Sequence, residues 1–244
     1  MLKGLLRAAA RRISRVWTVS VADRTQYGRV GDSVAQSRGD AMKAVAGHDN
    51  DAEWDRTGRS TADDITAEVA LTAADTVLDI GCGAGRVGVH LAPRCRTWIG
   101  GDVSRRMLVH ARQALAGTVA SNVEFVHLTG DGLPASLDGR LDVVYCTTVF
   151  MHLEEWDRYR YVQAAYRVLK PGGRFYVDSF SLLSEDGWAL FEAMAKLPPA
   201  ERPPHISKAS TPEELRMFVE KAGFEDIRVR GGRLFVTVVA RKPR

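Results

Sequence analysis

The nine residues from Val77 to Gly85, Val-Leu-Asp-Ile-Gly-Cys-Gly-Ala-Gly, join an apolar run of strand length to three glycines at alternate positions. A strand ending in such a loop brings bare backbone close to a bound ligand. It restricts the chain to folds in which a strand delivers a loop to a sheet edge. Gly81, Gly83 and Gly85 are spaced G-x-G-x-G, whereas the dinucleotide pattern G-x-G-x-x-G needs its third glycine where Arg86 stands. Asp79, two residues ahead of the first glycine, repels a pyrophosphate and favours a cation. The stretch from Asp79 through Cys82 to Arg86 is therefore a candidate binding loop for a nucleotide-like molecule that carries positive charge.

Downstream, helical and strand-like segments alternate. Thr61 with Asp64 reads as a capping box opening a helix through about Ala73, ahead of a strand at Thr76–Ile80. A helix from about Gly85 stops before Pro93, and Thr97–Gly101 is a second strand ending at Asp102. Ser104 caps the next helix, whose apolar face is Met107, Leu108, Ala111 and Leu115. Val123–Leu128 and Leu141–Thr147 are further strands, and Glu154–Leu169 is a long helix. Lys170-Pro171-Gly172-Gly173 reads as a turn into a fifth strand, Arg174–Ser179. Thr211 opens a helix that Gly223 ends, and a Gly231-Gly232 hairpin joins two last strands. The expectation is an α/β fold: a doubly wound, mostly parallel seven-stranded Rossmann-like sheet that ends in an antiparallel hairpin, with helices on both faces.

At 244 residues and 45% apolar content the chain suits one such domain, expected over 61–244, with a substrate-side insertion at about 181–210. The three cysteines form no C-x-x-C pair and share no metal-ligand spacing with the six histidines, so no metal is expected and the location expected is cytoplasmic. Residues 1–30 hold seven basic residues against Asp23, a local +6 in a chain of net charge +4. Within 1–17, Leu2, Leu5, Leu6, Ala9, Ile13, Val16 and Trp17 share one helical face, and Lys3, Arg7, Arg11 and Arg15 share another. This basic amphipathic helix has three readings: docking on the domain, attachment to an anionic membrane surface, or a targeting peptide. From Ser20 to about Ser60 the polar, Gly- and Asp-rich composition predicts a mobile connection that closes over the site.

In doubly wound sheets ligands sit outside the carboxyl ends of the strands, where strand order reverses. Asp79, Asp102 and Asp131 fall at the ends of the first three strands, and Asp102 lies about the 20-residue offset beyond the loop at which an acid takes a ribose diol. In this order the motifs resemble the class I S-adenosylmethionine-dependent methyltransferases. Val77–Gly85 resembles their first motif, Gly101-Asp102-Val103-Ser104 with Met107 their second acidic motif, and Gly130-Asp131-Gly132-Leu133-Pro134 their adenine-contacting turn. Leu141–Leu153, closing on His152-Leu153, and Arg167–Gly173 are similar to the later motifs, so the resemblance spans about 60–244. It implies S-adenosylmethionine as cofactor, with Gly81, Gly83 and Gly85 beside its methionine part and ribose, Asp102 on the ribose hydroxyls, and Val103 and Met107 walling the adenine. Asp131 and the Gly132 amide would read the adenine edge, Thr147 and Thr148 would lie beside the sulfonium, and Trp54 and Arg59 are loose matches for the methionine carboxylate.

Methylation at oxygen needs a proton acceptor, for which a histidine is suited near neutral pH. His152, following the fourth strand, is the first candidate, and His205, in the loop Pro203-Pro204-His205-Ile206, is the second. Trp188, Phe191 and Met194, at three-residue spacing in the insertion, predict a helix that either packs on the sheet edge or roofs an apolar acceptor. Cys146-Thr147-Thr148-Val149 lacks the Asn/Asp-Pro-Pro-Tyr/Phe pattern of amino-methylating enzymes, which disfavours a nucleic-acid substrate. The expected activity is transfer of a methyl group to a small or lipid-like acceptor. An NAD(P)-dependent oxidoreductase, and a noncatalytic assembly protein that binds membrane or RNA through the N-terminal helix, are the alternatives.

Overall fold

The computed structural model describes residues 25–116, 122–202 and 207–244. Its centre is a seven-stranded sheet of order β3-β2-β1-β4-β5-β7-β6. The strands are β1 (Thr76–Ile80), β2 (Thr97–Asp102), β3 (Val123–His127), β4 (Leu141–Cys146), β5 (Leu169–Phe180), β6 (Glu225–Gly231) and β7 (Phe235–Arg241). β3, β2, β1, β4 and β5 pair in parallel, and β7 is antiparallel to both β5 and β6. The expected architecture is thus found.

Alternate residues of the central strands point to opposite faces, and this parity separates two apolar layers. Leu78, Ile80, Val144, Phe175, Val177 and Val238 pack with Val162 and Val168 of α6 (Glu155–Val168) and with Leu215 and Val219 of α8 (Pro212–Lys221). Val77, Trp98, Val143, Tyr145, Tyr176 and Val239 face Ile65 of α3 (Asp51–Glu68), Leu91 of α4 (Gly88–Leu91), and Leu108, Ala111 and Leu115 of α5 (Arg105–Leu115). Runs such as Val143-Val144 are apolar throughout because both faces are covered.

Three stretches depart from the sequence expectation. The described part of the segment expected to be a mobile connection is helical: α1 (Thr25–Ser33), α2 (Arg38–Ala46) and the start of α3. α3 begins at Asp51, where Asn50 accepts the Glu53 N–H at 2.9 Å, and not at Thr61, whose hydroxyl donates to the Thr57 carbonyl inside the helix. The turn expected at Lys170–Gly173 is a bulge inside β5, where the register passes from Leu141↔Leu169 to Val143↔Arg174 and the Gly172 N–H donates to Lys242 O at 3.0 Å. In the insertion, α7 (Glu185–Ala195) leaves Trp188 50% and Phe191 45% exposed, with their rings tilted together at 5.4 Å. The apolar face expected on this helix is therefore turned to solvent. The basic helix expected over 1–17 lies outside the described residues, and no described helix is long and apolar enough to cross a membrane.

Candidate functional site

Strand order reverses between β1 and β4, and a cavity of about 1560 Å³ opens at their carboxyl ends. Its floor is the glycine loop. The N–H groups of Gly81 and Cys82 both donate to Gly101 O, at 2.7 and 3.0 Å, which ties the loop to β2. Gly81 and Gly83 have φ of +77° and +54°, and a Cβ on Gly81 would stand 2.3 Å from Val149 Cγ2. Both geometry and space therefore demand glycine there. Gly85, at φ +87°, is fixed by conformation and by packing, because a Cβ on it would also meet Leu115 and Ala111 of α5. Cys82 lies under the loop, and burial holds its thiol well above the usual range.

Asp102 is the joint of the site. Its Oδ2 accepts the Gly83 N–H and its Oδ1 the Ser104 N–H, each at 2.8 Å, so one carboxylate fixes both the loop and the start of α5. Burial pushes it up to about 6 despite these donors. Each oxygen keeps a second acceptor position, which fits a vicinal diol. Val103 and Met107 line the cavity beside it, and so does Leu128. Asp131 and Gly132 are not brought to this wall: Asp131 is exposed, its carboxylate accepts the Thr129 hydroxyl, and Arg160 holds its carbonyl at 3.2 Å. In this structure the carboxylate expected at the adenine edge is engaged in its own turn, through Oδ1.

Asp79 is also beneath the cavity floor. The Trp98 indole N–H donates to the Tyr145 hydroxyl at 3.0 Å, which donates to Asp79 Oδ2 at 2.7 Å, and burial pushes Asp79 up to about 7. The same sheet face carries Asp178 on β5, buried and lining the cavity. Its Oδ2 accepts the Thr147 hydroxyl at 2.5 Å and its Oδ1 the Thr148 N–H at 2.7 Å. Burial raises it to about 6, against the attraction of Arg86. Arg86 is itself 6% exposed, reaches the Thr61 hydroxyl at 3.4 Å, and loses basicity through burial. Beyond it the Tyr176 hydroxyl and the Arg230 guanidinium both donate to Asp64, at 3.0 and 2.6 Å. Sequence reasoning passed over Asp178, although a carboxylate within the apolar run Phe175-Tyr176-Val177 was a visible signal.

α1 and α2 form a wall of the cavity with Tyr27, Val30, Val34 and Val45. Asp32 accepts the Ser104 hydroxyl at 2.6 Å and the Arg106 N–H at 3.1 Å, and Tyr27 donates to Asp157 at 3.0 Å. Gly28 and Gly31 let α1 lie against β2's loop, since a Cβ on either would come within 2.9 Å of Val103 O or Ser104 Cβ. Trp54 is buried in a cluster with Met42, Ala84 and Met107, and Arg59 pairs with Asp55 at 3.3 Å; neither lines the cavity.

Thr147, Thr148 and His152 do line the cavity. His152 ends a 3-10 turn, Phe150–His152, that buried Arg158 clamps: its Nε–H donates to Phe150 O and Leu153 O, at 2.8 and 3.1 Å. Arg158 also donates to Ser210 Oγ and Glu214 Oε1, at 2.6 and 3.2 Å, which joins this turn to the far end of the insertion. His205 lies outside the described residues.

A family model described as a methyltransferase domain matches residues 77–173. The chain is 31% identical over 115 residues to the ubiquinone biosynthesis O-methyltransferase of Pseudomonas paraeruginosa, covering 47% of this chain and 48% of that one. With the 27-O-demethylrifamycin SV methyltransferase of Amycolatopsis mediterranei it shares 28% identity over 159 residues, 64% of this chain and 57% of that one. The chain thus spans about half the length of these curated relatives. The magnesium protoporphyrin IX methyltransferase of Synechocystis, solved with bound SAH, superposes with a TM-score of 0.65 at 21% identity, over 88% of this chain and 98% of that one. The matched methyltransferase domain over residues 77–173, the sheet order and the glycine loop agree with the resemblance to the class I S-adenosylmethionine-dependent methyltransferases.

Proposed function

We propose that this chain transfers a methyl group from S-adenosylmethionine to an oxygen atom of a small or lipid-like acceptor. The observation that carries the reading is Asp102, a cavity carboxylate held by two backbone N–H groups, with acceptor positions left over for a diol. Val103 and Met107 would flank the adenine, Gly81 and Gly83 would let the methionine part cross the loop, and Thr147 and Thr148 would border the reacting end. When bound, the cofactor supplies an electrophilic methyl group on a cationic sulfur. The chain's own contribution is chiefly orientation, worth up to roughly 7–11 kcal/mol in well-aligned systems. The oxygen acceptor is supported by the relatives, one an O-methyltransferase of ubiquinone biosynthesis and the other a 27-O-demethylrifamycin SV methyltransferase.

The acceptor's proton must also leave, and two side chains that line the cavity can receive it, His152 and Asp178. The acid-rich surroundings of the loop support a cationic ligand over a dinucleotide. Calorimetric titration of the full chain tests the reading. Heats of binding are expected for S-adenosylmethionine and S-adenosylhomocysteine and not for NADH; binding of NADH alone would transfer the site to the oxidoreductase alternative.

A further inference from the structure

We propose that Asp178, with the Thr147 hydroxyl as relay, takes the acceptor's proton, so that a carboxylate of β5 serves as a base in this cavity. The proposal rests on the methyl-transfer reading above.

Placement comes first. Asp102, at the β2 side of the crevice, suits the ribose diol, so the opposite end of an extended cofactor crosses the loop toward the end of β4. Thr147, Thr148 and Asp178 are what the cavity presents there. Asp178 sits in an interior strand opposite Thr237 of β7 and is 5% exposed, a position where an ionised group depends on its hydrogen bonds and on the nearby cation.

Local geometry comes second. Thr148 has φ +58°, a left-handed conformation that a β-branched residue adopts only under constraint. Its N–H is held by Asp178 Oδ1 and its hydroxyl donates to Thr147 O at 2.7 Å. The strain keeps the Thr147 hydroxyl directed at Asp178 Oδ2, 2.5 Å away, while the oxygen of that hydroxyl retains acceptor capacity for a proton from the cavity.

The charged and titratable groups around Asp178 come from every neighbouring element. Arg86, from the loop after β1, attracts it; Asp64, from α3, repels it. Tyr176 and Cys146, on β5 and β4, stay protonated, because burial raises both far above neutrality. Asp178 itself, raised to about 6, is ionised at neutral pH yet basic enough to accept a proton.

The step balances. The acceptor O–H bond breaks, its proton passes to Thr147 Oγ1, and the proton of that hydroxyl passes to Asp178 Oδ2. The freed electron pair on the acceptor oxygen forms the O–CH3 bond, while the pair of the S–CH3 bond stays on sulfur. One negative charge on Asp178 and one positive charge on sulfur disappear together.

The test compares S-adenosylmethionine, a sulfonium, with S-adenosylhomocysteine, a neutral thioether, by calorimetry at pH 5 and pH 7.5. In the wild type the ratio of the homocysteine to the methionine dissociation constant is expected to rise about fivefold with pH, as Asp178 ionises against the sulfonium. In D178N the rise is expected to stay within about twofold, while D178E, which keeps the charge, and T147V, which keeps the carboxylate, retain it. Where D178N does not fold, D178S, which also removes the charge, takes its place in the same comparison. An equal rise in wild type and D178N, or no rise in wild type, overturns the proposal alone; failure of either compound to bind wild type overturns the methyl-transfer reading and this proposal with it.

Discussion

Replacing Arg158 with Met tests how the cavity wall is held. Arg158 is 2% exposed and makes four close donations, to Phe150 O, Leu153 O, Ser210 Oγ and Glu214 Oε1, at 2.6 to 3.2 Å, with a longer one to Lys208 O at 3.4 Å. Losing them does not strand every partner. Phe150 O still accepts the Leu153 N–H at 3.1 Å, and Ser210 Oγ still reaches Ser179 Oγ at 3.3 Å. Leu153 O is left with no other bond of this set, at about 1–3 kcal/mol. Breaking a buried ion pair costs about 3–5 kcal/mol, and Glu214, 26% exposed, regains water and lowers that figure. Met fills much of the vacated volume and returns about 1 kcal/mol. The net loss is about 3 kcal/mol, or a fall in midpoint of roughly 6–12 °C for a domain of this size. Urea unfolding followed by circular dichroism measures it. Because Met151, His152, Leu153 and Ser207 line the cavity, the same variant is expected to bind S-adenosylmethionine more weakly. A loss below about 1 kcal/mol with unchanged binding would refute the clamp.

Gly81→Ala places a Cβ 2.3 Å from Val149 at φ +77°, so a loss of about 2–4 kcal/mol and of cofactor binding is expected by thermal melting and calorimetry; a wild-type midpoint would contradict it. Asp32→Ala removes the acceptor that joins α1 to Ser104 and Arg106. It is expected to cost about 1–2 kcal/mol and to speed S-adenosylhomocysteine release in stopped-flow fluorescence. Asp79 tests pH dependence: with its folded pKa raised from 3.8 to about 7, the folded state holds a proton that the unfolded chain has released. Stability from this group is full below about pH 4 and is lost as pH rises through 7, so wild type should lose stability relative to Asp79→Asn over that range in urea titrations. A gain over the same range would reverse the sign of the argument.

The sheet was legible because its strands are short apolar runs with turn signals between them, and burial on both faces leaves little else for Val143-Val144 or Leu78 to do. Of the helices before β1 only the later part of α3 was legible, because their buried faces are narrow. α3 buries only Trp54, Gly58, Ala62 and Ile65, and two of these are small; a Cβ on Gly58 would stand 2.4 Å from Arg86 O. Composition reports such a helix as polar and glycine-bearing. The capping box read at Thr61 lies inside this helix: the observed cap is Asn50 on the Glu53 N–H, while Thr61 donates to the turn before it. The local partner of Asp131 was hidden for a related reason. A short acceptor side chain next to Thr129 satisfies itself locally, and nothing in the spacing of strand ends reports that.

The electrostatics of the crevice act against a dinucleotide in the same sense as the missing third glycine. Asp79, Asp102 and Asp178 are all buried around one loop and all raised toward neutrality, with Arg86 as a cation among them. A pyrophosphate delivered to Gly81 and Gly83 would add negative charge where three carboxylates already lack solvent. A molecule with a ribose diol at one end and a cation at the other would meet the opposite situation: on the proposed reading, Asp102 would gain donors and Asp178 a counter-charge. Arg86, standing where the pyrophosphate fingerprint would put glycine, bears on the same balance, since its guanidinium is a positive charge beside Asp178 and Asp79. Stability should therefore respond to the charge of the ligand: the sulfonium compound should raise the melting midpoint more than its neutral thioether at pH 7.5, and the two should converge at pH 5.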